Sequence, residues 1–269
     1  MEYQIINKKF RINPNKNIGK VLYIVEGEKT EIKLLGHIFK NILNYEKVIS
    51  VDRRGKRRLK YVSGTNKNSK VFICNSKESN IKTMADREFI DKQIDILKNY
   101  DEEFNYEDIS IYYLFDCDRQ EDKPYIRELL DKYTNSREPS EDNKFDSIGG
   151  MLLLSYPSVE SFIISNFEVD MFKFSERCNF KTQTIKEYIG SKGYNSSNMS
   201  KETLENSFME LVKSLEKIGI NKIEIDNTRK FSNEIYNYEQ LHNNQYLISL
   251  LLISFVDLGI IEFEEWGKT

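Results

Sequence analysis

Four short runs of apolar and β-branched residues constrain the fold of this 269-residue chain most strongly. Each run has the length of one buried strand, and segments with helical periodicity separate the runs. They are KVLYIV at 20–25, KVFIC at 70–74, ISIYYLF at 109–115 and MLLLS at 151–155. Alternation of strand and helix predicts an α/β fold with a mostly parallel sheet and helices on both faces.

The last hundred residues are predicted to be helical instead. Residues 200–218 are amphipathic and precede Gly219, which predicts a helix that stops at this glycine. Residues 230–258 predict further helix. They contain the longest apolar run, Tyr246–Val256, for which we favour a buried helix over part of a homodimer interface.

The change from alternating strands and helices to helices alone predicts that the chain has two parts. The first, residues 1–167, is an α/β core that carries a basic insertion at about 46–70, and the second, residues 168–269, is a helical C-terminal appendage.

Composition limits the classes of partner and of site. Lys and Arg total 40 against 43 Asp and Glu, so the net charge of −3 draws the whole protein neither to nucleic acid nor to anionic membrane. Any polyanion must therefore bind to a local patch. The longest apolar run is shorter than the roughly 20 residues that span a bilayer, and the first twenty residues lack a secretory apolar run. We expect a cytoplasmic protein without a membrane segment.

Histidine and cysteine are too scarce for several kinds of site. Only His37 and His242 are present, and the three cysteines lie far apart without a CxxC pair. A zinc site, a disulfide framework and a His-rich metal site are therefore not supported. Hydrolytic chemistry in this chain must depend on carboxylates.

Acidic residues follow three of the four predicted strands. Glu26 follows the first strand, Asp116 and Asp118 close the third, and Glu160 comes soon after the fourth. Ligands of open α/β sheets bind beyond the carboxyl ends of the strands, and carboxylates are ligands that Mg²⁺ prefers. Together these residues predict a site for Mg²⁺, or for Mn²⁺ in its place.

Each of these acids also has a structural interpretation. Glu26 and Glu31 lie near a helix N-terminus, where negative charge is stabilising. An isolated Asp-x-Asp pair is a weak pattern, and for Glu160 the structural and functional interpretations weigh equally. Lys29 is a candidate phosphate contact, but an exposed lysine at a helix start is an equal alternative. The combination at successive strand ends is more specific than any single member.

Three stretches resemble TOPRIM domains, and in particular the RloB-like and OLD-like TOPRIM proteins of bacterial defence loci. They are VLYIVEGEKTE at 21–31, YYLFDCDRQED at 112–122 and LLLSYPSVESFII at 152–164. The resemblance covers about residues 20–165. The insertion at 46–70 departs from the family pattern, and the helical appendage has no counterpart in it.

The resemblance implies Mg²⁺-dependent phosphodiester chemistry and a role for each matching residue. Glu26 would be the acid–base or metal-linked glutamate, and Asp116 and Asp118 would be metal ligands. Glu160 would be an accessory acid. Gly27 would allow close approach to the backbone at the turn.

Small stand-alone TOPRIM proteins are typically nucleases, and several are toxic effectors of anti-phage systems that act by abortive infection. The resemblance therefore implies a nuclease acting on DNA or RNA, with tRNA among the RNA candidates. The chain has no Walker A motif, so a controlling ATPase would be a separate protein. Two alternatives stay open: a binding module docked on an ATPase scaffold, and, more weakly, a nucleotide-sugar transferase that uses the Asp-x-Asp pair.

The insertion contains a basic segment that provides the local patch required by the charge balance. Nucleic-acid contact is favoured over a solvated hairpin or an acidic protein partner, because the segment belongs to a candidate nuclease core. Its basic residues are Arg53, Arg54, Lys56, Arg57, Arg58 and Lys60.

Overall fold

The structure, a computed structural model, describes most of the predicted strands. The residues it describes are 2–5, 8–51, 57–75, 95, 109–117, 126, 129–130, 133–135, 150–178 and 182–264. In this part of the chain the strands are β1 (Glu2–Gln4), β2 (Phe10–Ile12), β3 (Lys20–Val25), β4 (Tyr45–Val51), β5 (Arg57–Ser63), β6 (Lys70–Cys74), β7 (Ile109–Asp116), β8 (Thr134–Asn135), β9 (Gly150–Tyr156), β10 (Lys222–Glu224), β11 (Ile248–Ser249) and β12 (Ile261–Phe263).

Helices follow β3 and β9 and dominate the C-terminal part. The first helix continues into a π-helical turn at Ile38–Ile42. The α-helices of the described residues are α1 (Thr30–His37), α2 (Glu160–Ser165), α3 (Met171–Cys178), α4 (Thr182–Lys192), α5 (Lys201–Ile218), α6 (Thr228–His242) and α7 (Leu251–Asp257).

Seven strands form one mixed sheet in the order β11-β9-β7-β3-β6-β5-β4, and β8 pairs with β9 outside this path. β3 lies between β6 and β7 and runs parallel to both, with Val21 opposite Val71 on one side and Ser110 on the other. The apolar run of β3 is buried from Val21 to Val25. The four predicted strands and the α/β class are therefore confirmed.

The outer strands differ from the predicted mostly parallel arrangement. Pairs β4–β5, β5–β6, β9–β11 and β8–β9 are antiparallel. β4 and β5 are separated by only a few residues, and so short a connection can join only antiparallel neighbours. The predicted insertion at 46–70 therefore extends the sheet as a hairpin. The placement of helices on both faces stays a prediction.

Internal contacts divide the chain into two compact units, which we call the strand unit and the helix unit. The strand unit comprises Asn17–Phe115 and Gln120–Leu152. The helix unit comprises Met1–Lys16, Asp116–Arg119 and Leu153–Thr269. The predicted division into residues 1–167 and 168–269 is a different partition of the chain and stays a prediction.

Aromatic side chains form much of the core of the strand unit. The rings of Tyr23 and Tyr112, on the adjacent strands β3 and β7, stack with centroids 5.2 Å apart. Phe39 lies 5.9 Å from Tyr23 and 5.4 Å from Tyr45, measured between ring centroids. All four rings are buried, so these tyrosines serve the core, as the apolar periodicity predicts.

Helix α5 of the helix unit has both of the end signals that its sequence predicts. Ser200 and Thr203 form a capping box at its N-terminus. Gly219 ends the helix in the left-handed conformation at φ 98°, which glycine adopts without steric cost. The predicted helix over 200–218 is confirmed.

The prediction of continuous helix over 230–258 is wrong in its middle. Between α6 and α7 the chain is extended, and Ile248 and Ser249 pair with Tyr156 and Ser155 of β9. The run Tyr246–Val256 is buried, as predicted, but only its second half is helical. The apolar content of this run predicts that it is buried. Whether the run is helical or extended is decided by its pairing with β9.

Among the helices that the structure describes, none could cross a membrane.

The N-terminal arm joins the helix unit through two strand pairs. β1 pairs with β10, and β2 pairs with β12. Glu262 of β12 accepts hydrogen bonds from Arg11 Nη2 at 2.8 Å and from Asn13 Nδ2 at 2.9 Å, and Lys16 Nζ lies 3.5 Å from it. These bonds from Asn13 and Arg11 lower the pKa of Glu262 below its ordinary value of 4.5.

We predict that Glu262→Gln lowers the free energy of unfolding at neutral pH by about 1 kcal/mol, because charge-assisted hydrogen bonds to the arm are lost. Since folding lowers this pKa, the stabilisation is present above about pH 4.5 and is lost as the pH falls below it. Urea denaturation of both proteins at neutral and at acidic pH measures the difference. Glu264→Gln, at an exposed position just beyond β12, is the control; an equal loss in both variants would contradict the role of Glu262.

Candidate functional site

Glu26 lies directly beyond the carboxyl end of β3, in the strand unit. Its backbone N–H donates to Leu114 O of β7 at 3.2 Å. Its carbonyl oxygen accepts from Asn75 Nδ2 at 2.6 Å, and Val25 O accepts from the same amide at 3.0 Å. The Glu26 side chain is half-buried. Bonds to β7 and to the residue that follows β6 therefore hold the backbone that carries this carboxylate.

A second carboxylate, Glu31, closes the turn that follows Glu26. Gly27 N–H donates to Glu31 Oε1 at 3.0 Å, and Glu31 is only 5% exposed. A Cβ atom at Gly27 would overlap the Glu31 carboxylate. The close approach expected at Gly27 is therefore made by Glu31, a residue to which the sequence assigned only a helix-end role. Lys29 is exposed at the N-cap of α1, and its contact with phosphate stays a prediction.

Asp116, the last residue of β7, belongs to the helix unit together with the loop that follows β9. Its Oδ1 accepts a hydrogen bond from the backbone N–H of Val159 at 2.8 Å. The Asp116 side chain is half-buried. This bond joins two of the three stretches on which the TOPRIM resemblance rests. It fixes one oxygen of the carboxylate predicted to bind metal.

The loop that holds Asp116 is tied down by further hydrogen bonds. Ser161 Oγ donates to Tyr156 O at 2.6 Å, and Ser161 N–H donates to Ser158 O at 3.0 Å. Where the chain leaves β7, Cys117 N–H donates to Ser155 O at 2.9 Å. The loop is therefore a rigid support for its Val159 N–H.

Ser158 is the exception within this loop. It is 0% exposed, and its hydroxyl has no hydrogen-bond partner among the described residues. A buried hydroxyl without a partner costs about 1–3 kcal/mol. Buried side-chain oxygens of the same kind occur at Tyr113, Thr228, Ser232, Asn244 and Gln245 among the described residues. Ser158 was not predicted from the sequence, although it lies between Pro157 and Glu160 in one of the three stretches that resemble TOPRIM domains.

Glu160 begins helix α2, one residue after Val159. Its side chain is 12% exposed, and its Oε1 lies 3.8 Å from Nζ of Lys186, a residue of α4 whose side chain is 56% exposed. The predicted accessory acid is thus mostly buried beside a lysine that was not predicted from the sequence. A single lysine on an amphipathic helix carries no local signal of a site, so only packing could reveal it.

The structure describes half of the predicted basic segment. Arg53, Arg54 and Lys56 lie outside the described residues. The backbones of Arg57 and Arg58 pair in β5 with Val51 and Ser50, and Lys60 is half-buried opposite Val48. The described half of the segment therefore lies in β5, and the contact of the segment with nucleic acid stays a prediction.

The donor chemistry fits Mg²⁺, because carboxylate oxygens are hard ligands that this ion prefers. Glu26 belongs to the strand unit and Asp116 to the helix unit. Asp118 lies outside the described residues. Within the described ranges, no group of three or more His, Cys, Asp or Glu residues could hold a metal ion. The metal site predicted for Glu26, Asp116 and Asp118 stays a prediction.

We predict that Gly27→Ala lowers the free energy of unfolding by about 1–3 kcal/mol, because the added methyl group displaces the Glu31 carboxylate. Gly190→Ala is the matched control. Gly190 lies in α4 with open space around it, so alanine there should be neutral or stabilising by up to about 1 kcal/mol. Thermal denaturation of both variants measures the contrast. Equal stability of the two variants would show that Glu31 does not need Gly27.

No family model matches this chain, and neither a curated protein nor a solved structure matches it. The TOPRIM resemblance therefore rests on the three sequence stretches alone. The structural case for a site rests on Asp116, Val159, Ser158 and Glu160 in the helix unit and, separately, on Glu26 and Glu31 in the strand unit.

Proposed function

We propose that the protein is a metal-dependent nuclease of the TOPRIM type that cleaves the phosphodiester backbone of DNA or RNA. The observation that carries the proposal is the hydrogen bond of 2.8 Å from Val159 N–H to Asp116 Oδ1. This bond unites two acidic motifs that lie 43 positions apart in the sequence. β7 and β9 are neighbouring strands of the sheet, and this bond adds a specific contact between the Asp116 carboxylate and the loop that leads to the mostly buried Glu160.

In this proposal Glu26, Asp116 and Asp118 would hold Mg²⁺, with Mn²⁺ able to replace it, and the ion would neutralise charge on the phosphate. The Val159 N–H fixes the direction in which Asp116 presents its carboxylate. Glu160 would be the accessory acid of the site, and its mostly buried side chain lies one residue beyond this bond. The basic segment from Arg53 to Lys60 supplies affinity for the phosphate backbone.

The biological setting follows from the resemblance. We propose that the nuclease is a toxic effector of an anti-phage system that acts by abortive infection in the cytoplasm. A separate ATPase would control it, because the sequence contains no Walker A motif. The substrates to compare are therefore duplex DNA and folded RNA such as tRNA.

A regulated binding module is the second candidate, and one observation favours it. Asp116 and Glu160 already have partners within the chain, namely the Val159 N–H and the Lys186 ammonium group. A module that docks on an ATPase scaffold without cutting would need these acids only for its structure. Nucleic-acid cleavage by the purified protein, alone and with its ATPase, separates the two candidates.

We predict that Asp116→Asn lowers Mg²⁺-dependent cleavage at least about 100-fold, because a metal ligand contributes several kcal/mol to stabilising the transition state. Asparagine keeps an oxygen that can accept from Val159 N–H, so the loop is preserved while the charge is lost. Glu26→Gln should have an effect of similar size. Initial rates on plasmid DNA and on tRNA, with the ATPase partner where cleavage requires it, measure the loss.

The control for both substitutions is Asp170→Asn. Asp170 is exposed and has a left-handed backbone with φ 54°, which asparagine tolerates. This variant should cleave like the wild type. The nuclease assignment is wrong if Asp116→Asn and Glu26→Gln also cleave at the wild-type rate.

A further inference from the structure

We propose that Lys186 contacts a phosphate group of the nucleic-acid substrate beside Glu160, as a substrate-binding residue. The inference rests on the proposed nuclease function. It adds a substrate contact that the basic segment does not provide. Lys186 belongs to α4 and Glu160 to α2, so both lie in the helix unit. The basic residues predicted from the sequence to contact nucleic acid lie elsewhere in the chain, between Arg53 and Lys60.

Core packing explains why Lys186 lies where it does. Its neighbour Ile185 is completely buried in a cluster with Ile164, Met171 and Leu247. Tyr188 and Ile189, one turn further along α4, pack against the same cluster. Ile164 belongs to α2, the helix that Glu160 begins. Packing of α4 against this cluster therefore holds the backbone of Lys186 in a fixed position relative to the helix that Glu160 begins.

The pair of Lys186 and Glu160 is asymmetric in exposure. The glutamate side chain is 12% exposed, whereas that of the lysine is 56% exposed. Their charged atoms lie 3.8 Å apart, which is longer than the 2.7–3.2 Å or so of an N–H···O hydrogen bond. A phosphate oxygen from solvent can therefore reach the ammonium group without first breaking a tight hydrogen bond.

Other lysine–glutamate pairs of the helix unit differ in these respects. Lys213 Nζ is only 2.6 Å from Glu210 Oε1, and that carboxylate is 1% exposed and also accepts from Met171 N–H. This pair is a tight structural contact. Lys201 lies 3.9 Å from Glu205, four residues along the same exposed face of α5. Among these three pairs, that of Lys186 combines an accessible cation with a mostly buried acid beside the loop that holds Asp116.

Lys186 has a clear chemical task at this position. The negative charge of Glu160 would repel an approaching phosphate, and the neighbouring ammonium group offsets that charge at close range. Lysine acts there as a compact point charge, a common role of this residue in phosphate binding.

The test compares Lys186→Ala with Lys201→Ala, a matched control that removes an exposed lysine at nearly the same distance from a glutamate. Fluorescence anisotropy measures the affinity of each full-length protein for a labelled DNA duplex and a labelled hairpin RNA, with Ca²⁺ in place of Mg²⁺. Lys186→Ala should weaken binding about 5- to 10-fold and reduce the slope of log K against log salt concentration by roughly 0.7–0.9, the value of one phosphate contact. Lys201→Ala should stay within about twofold of the wild type.

Each outcome bears on the inference in a different way. If the wild type binds and cleaves but Lys186→Ala behaves like Lys201→Ala, the Lys186 contact is refuted while the nuclease proposal stands. If the wild type neither binds nor cleaves either nucleic acid, with its ATPase partner and with Mg²⁺ or Mn²⁺, both proposals are refuted. A shared melting temperature shows that Lys186→Ala is folded, and Lys186→Arg should restore most of the affinity and the salt slope.

Discussion

The hydrogen bond between Val159 N–H and Asp116 is the interaction on which the proposed site depends. It holds the end of β7 to the loop after β9, so that a carboxylate and a mostly buried glutamate belong to one compact unit. A hydrogen bond to a charged acceptor contributes about 1.5–3 kcal/mol, which is enough to fix one rotamer of the carboxylate. Ser161 reinforces the loop from the other side through its bonds to Tyr156 and Ser158.

Much of the fold follows from local sequence because its central strands are buried on both faces. A strand such as β3 has apolar side chains at nearly every position, and this pattern is typical of parallel strands covered on both sides. The pairings β1–β10 and β2–β12 were not predicted, since each joins residues more than two hundred positions apart and no local pattern encodes the partner. The same reason accounts for the extended segment before α7, whose apolar residues would suit a helix equally well.

The residues of the candidate site likewise fall into those that the sequence could predict and those that it could not. Glu26, Asp116 and Glu160 could be selected from sequence because each follows a recognisable strand, and the ends of strands are where α/β sheets bind ligands. Ser158 and Lys186 could not, because their interest depends on burial and on packing between helices. Gly27 shows a mixed case. The glycine was expected to permit a close approach, but the group that approaches it is the side chain of Glu31.

The central claim is that Asp116 is a ligand for a divalent cation, and direct metal binding tests it without reference to substrate, partner or trigger. Electron paramagnetic resonance of Mn²⁺ titrated into the full-length protein measures the affinity, with Mg²⁺ as competitor. We predict a saturable site in the wild type that Mg²⁺ competes for and that Asp170→Asn retains, and at least a roughly tenfold loss of affinity in Asp116→Asn. Equal Mn²⁺ binding by the wild type and Asp116→Asn, or no saturable binding by the wild type, would contradict the claim.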